Sequence, residues 1–96
     1  MASVILCESV RGLILAHAGE HAAAERHACD AVRFAAATDS LEWHGKALLD
    51  QASVLDDAGR TEEAVAATEE ALRLFEQKEV TAMVTVARER LGSLAV

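Results

Sequence analysis

Stretches rich in small and apolar residues, separated by short polar breaks, divide the chain into five segments. Glycines mark two of the breaks, at Gly19 and Gly59, and Thr38-Asp39-Ser40 marks a third. Alanine, the strongest helix former, accounts for 21 of the 96 residues, and proline is absent. We therefore predict an all-α fold of five helices, at about residues 3–18, 21–37, from the 38–40 break to 58, 61–78 and 80–94. Because such short turns place consecutive helices side by side, neighbours are expected to run antiparallel.

Two of the predicted helix starts carry side chains that can bind free backbone amides. Asp39, followed three residues later by Glu42, fits a capping box in which Asp39 or Ser40 accepts from the backbone. Thr61 is a suitable N-cap for the fourth helix. The fifth helix has the weakest start signal, because neither glycine nor proline separates it from the fourth.

Small residues recur when the chain is shifted by 40 positions. Two series share the spacing 7, 5 and 7, namely Gly12, Gly19, Ala24, Ala31 and Ala52, Gly59, Ala64, Ala71. Antiparallel helices approach closely only where small side chains meet. We therefore predict close crossings at Gly12 with Ala24 and at Ala52 with Ala64. The two turn glycines are expected to end helices in the left-handed conformation.

This series resembles the tetratricopeptide repeat family, which places a small residue, a turn glycine and two alanines at the same spacing. The likeness spans nearly all of a single domain, residues 1–96, with repeats at about 4–38 and 41–78 and a partial third repeat or capping helix at about 79–96. Residues 47–64 are similar to the C-terminal repeats of large actinobacterial regulators and cyclase-like ATPases. The resemblance implies antiparallel helix pairs stacked as a short α-solenoid of about 2.5 repeats.

The chain departs from the family pattern in several respects. Its period of 40 exceeds the usual repeat of about 34 residues. Ala28 and Thr68 replace the usual aromatic of the second helix, and the proline that ends a repeat is missing. The longer period also allows a HEAT-like interpretation, although HEAT units do not predict turn glycines at this rhythm.

The net charge of −7 disfavours two classes of partner. An acidic surface repels the phosphates of nucleic acids and of anionic membranes. No apolar stretch approaches the ~18 residues of a membrane span, and no basic segment precedes Val4-Ile5-Leu6 as in a signal peptide. We therefore expect a cytoplasmic protein that binds neither nucleic acid nor membrane.

The residues that could carry chemistry do not form a recognisable catalytic or metal-binding motif. His17 and His21 are four apart, with His27 and Cys29 nearby, but Gly19 lies at the turn between the first two. Cys7 and Cys29 are expected to be reduced, small buried residues. Trp43 is expected to anchor the core where the first helix pair meets the second. We predict no enzyme activity, no metal and no cofactor.

The first helix is apolar on more than one face. Its large apolar residues are Val4, Ile5, Leu6, Val10, Leu13, Ile14 and Leu15. A helix apolar nearly all round is usually buried nearly all round. We therefore expect another protein or a second copy to cover it, with Leu6, Val10 and Leu13 in the contact of a homodimer.

The family resemblance implies a protein–protein interaction module whose concave face is formed by the first helix of each pair. With Val10 from the homodimer contact, the candidate binding residues are Leu6, Ser9, Val10, Leu13, His17, Lys46, Leu49, Ser53, Asp56, Val86 and Glu89. With Lys46 as its one lysine and no asparagine in the chain, this face is unsuited to clamping a carboxylate tail. A helix or a segment with Arg or Lys is the expected partner. The alternatives are an obligate homodimer with no further ligand and, less favoured, a small metal-binding helical bundle.

Overall fold

The computed structural model describes residues 2–38 and 40–94, with side-chain surroundings from Ile5 onward. This part of the chain is all-helical, which confirms the predicted fold class. The five helices are α1 Ala2–His17, α2 His21–Ala36, α3 Leu41–Asp57, α4 Thr61–Lys78 and α5 Thr81–Leu94. Within the described ranges, none of the five is long and apolar enough to cross a bilayer.

Consecutive helices pack in opposite directions. Ile5, near the start of α1, packs with Ala35 near the end of α2, whereas Ala16, near the end of α1, packs with Ala24 near the start of α2. Further contacts join α2 to α3, α1 to α3, α3 to α4 and α4 to α5. The middle helix, α3, also contacts α5, through bonds from Arg90 to Leu49 and Ser53, and so touches all four other helices.

Three helices end next to a residue in the left-handed backbone conformation. This conformation was predicted for two of these residues, the turn glycines. Gly19 has φ 82° and Gly59 has φ 80°, and each is followed by an amide that returns to the helix, such as Glu20 N–H to the Leu15 carbonyl at 2.9 Å. At the end of α4 there is no glycine, and Glu79 adopts φ 61°. The same return bond follows, from Val80 N–H to the Phe75 carbonyl at 2.9 Å. Because Glu79 carries a Cβ, the left-handed conformation costs it free energy that glycine does not lose.

The helix starts agree only partly with the predicted caps. The Ser40 hydroxyl accepts from the Trp43 amide at 3.2 Å, as one of the two alternatives predicted. The other, Asp39, lies outside the described residues. The prediction for Thr61 is wrong, because Thr61 is the first residue of α4 and Arg60 occupies the cap without a side-chain bond to the free amides.

The core consists of alanine contacts around a few large side chains. The repeated positions Ala24, Ala31, Ala64 and Ala71 have no solvent exposure. A Cβ on Gly12 would lie 3.2 Å from the Ala24 carbonyl oxygen, so the two helix backbones approach closely, as predicted for this crossing. Ala52 and Ala64 share one buried cluster.

Two expectations about single residues have different outcomes. Trp43 is half-buried and packs on the cluster that joins α1, α2 and α3, with Ile5, Ala31 and Ala47, which confirms its predicted place. The expectation of buried thiols is wrong, because Cys7 and Cys29 are both exposed.

Candidate functional site

A groove lies between α1, α3 and α5. α1 packs on both α2 and α3, whereas α5 packs mainly on α4 and leaves space beside α3. The first of two cavities, of about 340 Å³, is lined by Ala52, Ser53, Asp56, Val86, Glu89, Arg90, Ser93 and Leu94. The second, of about 200 Å³, is lined by Ile5, Leu6, Ser9, Trp43, Lys46, Ala47, Leu49, Asp50, Met83, Val86 and Arg90. Since Val86 and Arg90 line both cavities, we treat them as one groove.

Arg90 connects α5 to α3 across the groove. Its guanidinium donates to the Ser53 hydroxyl at 2.7 Å and to the Leu49 carbonyl at 3.4 Å. Ser53 Oγ also lies 3.4 Å from the same carbonyl. Arg90 therefore helps to set the width of the groove where the two cavities meet.

Asp50 is a half-buried carboxylate in the wall of the groove. Burial raises the pKa of Asp50 above its ordinary value, while interaction with the Ser9 hydroxyl and the positive charge of Arg90 partly offset that effect. These three residues come from α3, α1 and α5. The groups that influence the pKa of Asp50 thus come from all three helices that form the groove.

The end of the groove near α1 is apolar with one cation. Leu6, Trp43 and Met83 line it, and the Lys46 ammonium lies 5.4 Å from the centre of the Trp43 ring. Lys46 also pairs with Glu42 at 3.1 Å. The positive charge of Lys46 is therefore partly neutralised within α3 itself.

The opposite end of the groove is acidic. The exposed side chains of Asp56 and Glu89 line it from α3 and α5. Across residues 2–38 and 40–94, neither carboxylate forms an ion pair. Arg90 nearby is already engaged by Ser53 and Leu49. This end can accept the cation of a bound segment.

The groove brings together eight of the eleven candidate binding residues. They are Leu6, Ser9, Lys46, Leu49, Ser53, Asp56, Val86 and Glu89. The other three, Val10, Leu13 and His17, do not line either cavity. Val10 and His17 are exposed on α1. Leu13 instead lies on the face of α1 that packs on the core, where it is half-buried against the cluster of Ala16, Ala24, Ala28 and Val54.

Several lining residues were not among the candidates, and four of them form pairs that the repeat relates. Trp43 and Met83 are 40 positions apart, and so are Asp50 and Arg90. Each pair thus occupies equivalent places in the repeat and lines the same cavity. The candidate Val10 is the equivalent of Asp50 in the first unit.

A second surface feature is an apolar stripe on α1. Leu6 is 53% exposed, Val10 43% and Ile14 62%. These three residues, which we call the α1 stripe, are spaced four apart and so lie on one face of the helix. Ile14 takes the place on the exposed face that was expected for Leu13.

The histidines and cysteines are dispersed. His17 and His21 are exposed on either side of the turn, and His27 Nδ1 lies 2.7 Å from a Glu8 carboxylate oxygen. In the described ranges, no three His, Cys, Asp or Glu side chains converge in a way that could hold a metal ion.

No protein-family model, no curated protein and no solved structure matches this chain.

Proposed function

We propose that the chain is a non-catalytic protein-interaction module of tetratricopeptide-like helix pairs, stacked as a short solenoid, whose groove binds a peptide segment of a partner protein. The observation that carries this proposal is the groove itself, which collects eight candidate residues from three helices. Ligand sites are typically concave, mainly apolar and furnished with a few polar groups. The exposed thiols Cys7 and Cys29 favour action in the reducing cytoplasm.

The two ends of the groove favour a partner with apolar residues followed by a basic one. Leu6, Trp43 and Met83 offer an apolar surface at one end. Asp56 and Glu89 offer exposed carboxylates at the other. Burying one leucine-sized side chain contributes about 1.5–3 kcal/mol, whereas an exposed ion pair contributes about 0–1 kcal/mol. Apolar contacts therefore supply most of the affinity, and the carboxylates select the charge and direction of the segment.

Selection from a displayed library of random peptides tests the proposal, because it requires no known partner. The wild-type chain should enrich peptides that carry large apolar residues and an Arg or Lys. The double variant Asp56→Lys, Glu89→Lys should lose that basic preference and enrich acidic peptides. Glu62→Lys with Glu69→Lys, two exposed positions on α4, is the matched control and should select as wild type does.

The binding site of a selected peptide is located by chemical-shift changes in labelled protein. We expect these changes at groove residues such as Met83 and Val86. Failure of the wild type to enrich any common sequence would overturn the proposal. So would a basic preference that persists in the double variant, or chemical-shift changes confined to the outer face of α4.

A further inference from the structure

The α1 stripe is the outstanding apolar feature of the surface. Across the part of the chain whose burial is described, Leu6, Val10 and Ile14 are the large apolar side chains that remain exposed. Contiguous exposed apolar patches are uncommon on monomers and usually mark an interaction site. Val10 and Ile14 do not line the groove, so these two residues of the stripe lie outside the proposed peptide site, whereas Leu6 lines it.

The distribution of charge favours a second copy of this chain on the stripe. α1 carries one acidic and one basic residue, Glu8 and Arg11, and Glu8 is engaged by His27 of α2. In contrast, α3 has four acidic residues against one basic, and α4 has five against two. α2 has two acidic residues against two basic and α5 has one against two, but neither exposes a large apolar side chain in the described burial. Two chains of charge −7 can therefore approach through α1 with no excess charge on that helix to oppose the contact. Approach through α3 or α4 would oppose like charges.

The spacing of the stripe makes it complementary to itself. In an antiparallel pairing of two α1 helices centred on Val10, Val10 faces its own copy, and Leu6 faces Ile14 of the other chain. Among the residues whose burial is described, no other large apolar side chain is exposed and could pair with the stripe of a second chain. A contact between identical patches has two-fold symmetry and closes as a dimer, whereas a contact between different patches can extend into a filament.

We infer that the α1 stripe is a homodimer interface, in which two copies of the chain pack their α1 helices antiparallel about a two-fold axis at Val10. This interface shares Leu6 with the peptide groove of the proposed function, whereas Val10 and Ile14 belong to the interface alone. The test therefore changes Val10 and leaves Leu6 intact, so that failure of one proposal is distinguishable from failure of the other.

Light scattering and sedimentation at about 1 to 100 micromolar test the interface, a range that spans micromolar dimers. The wild type should reach twice the chain mass, and Val10→Glu should stay at the monomer mass because two carboxylates would meet at the axis. Val10 is exposed in the single chain, so the variant should keep the helical content and thermal midpoint of a folded monomer. Ala82→Glu, at an exposed position of α5, is the matched control and should dimerise as wild type does.

A cysteine at the proposed axis tests the geometry independently. In a Cys7→Ser, Cys29→Ser background, Val10→Cys should form an intermolecular disulfide under mild oxidation, because a residue on a two-fold axis meets its own copy. Ala82→Cys in the same background should remain mostly uncrosslinked. A wild type that is monomeric at about 100 micromolar, a Val10→Glu variant that still dimerises, or equal crosslinking at the two positions would each overturn the inference.

Discussion

A Cβ atom placed on Gly45 of α3 would lie 2.6 Å from the ring of Phe75 on α4. Phe75 is fully buried and is the largest of the completely enclosed side chains. The ring therefore fills the space that any other residue at position 45 would need for its own side chain. Glycine at position 45 in the interior of α3 is explained by this contact, because its weak helix propensity would otherwise count against it.

The first prediction is that Gly45→Ala destabilises the fold by about 1–3 kcal/mol, the usual cost of overpacking a core. Alanine is favoured over glycine in a helix by about 1 kcal/mol. That gain is too small to offset the displacement of the Phe75 ring, which is enclosed on all sides, by the new Cβ. Urea unfolding followed by circular dichroism measures the change. Gly92→Ala is the matched control in α5, where a new Cβ meets nothing within 4 Å, and it should stabilise or leave the midpoint unchanged. A midpoint for Gly45→Ala at or above wild type would contradict the Phe75 contact.

The second prediction concerns the left-handed residue that ends α4. Glu79→Gly should stabilise the protein by about 1 kcal/mol, because glycine adopts φ 61° without the clash of a Cβ. Gly59→Ala provides the opposite case and should destabilise by about 1–2 kcal/mol. At Gly59 a Cβ would have no neighbour within 4 Å, so its effect is purely conformational. Thermal midpoints of both variants test the prediction, and midpoints that shift in the same direction would refute it.

The local pattern of residues was sufficient to predict the five helices. Glycine readily adopts the left-handed conformation that ends a helix, as Gly19 and Gly59 do, and alanine favours helix elsewhere. The same reasoning failed where tertiary packing decides. α1 has apolar residues nearly all round, so its pattern could not show that Leu13 turns inward and Ile14 outward. The contact of Gly45 with Phe75 joins positions 30 residues apart in sequence, and nothing local to either residue indicates it.

Part of the groove was predictable, because positions 40 residues apart line the same space. Trp43 with Met83 and Asp50 with Arg90 are such pairs, whereas Val10, the equivalent of Asp50 in the first unit, lies outside the groove. The width of the groove did not follow, because it depends on α5 packing more on α4 than on α3. The position of α5 depends on long-range contacts with both helices, among them the bond from Arg90 to Ser53 of α3 and the bond from Arg88 to Glu76 of α4.

The third prediction concerns the pH dependence of stability at Asp50. Burial raises the pKa of Asp50 above the ordinary value of 3.8, so the folded chain retains a proton that the unfolded chain releases. The contribution of Asp50 to stability is therefore complete below pH 3.8 and is lost as pH rises through the folded-state pKa. Asn does not ionise, so the stability of Asp50→Asn relative to wild type should increase from pH 3.8 toward neutral. Asp57→Asn, an exposed position on the same helix, is the control.

Urea unfolding at a series of pH values measures this difference. A stability difference between wild type and Asp50→Asn that is constant across the range would show that burial does not govern the ionisation of Asp50. A difference that grows toward acid would mean that Arg90 and Ser9 outweigh burial. Either result would change the electrostatic description of the groove wall.

The fourth prediction is that Arg90 holds α5 at its distance from α3. Arg90→Gln removes the bonds to Ser53 and Leu49, and a lost hydrogen bond costs about 0.5–1.5 kcal/mol. Because α5 depends on few contacts outside α4, the loss should appear locally, as faster amide exchange across residues 81–94 with little change in α1 and α2. The fluorescence of Trp43, the single tryptophan, should shift to longer wavelength as the groove opens.

Arg88→Gln is the matched control, since Arg88 bonds Glu76 of α4 at 3.2 Å on the outer surface. Equal acceleration of exchange in the two variants would show that the contact with α4, rather than the bridge to α3, fixes the position of the helix.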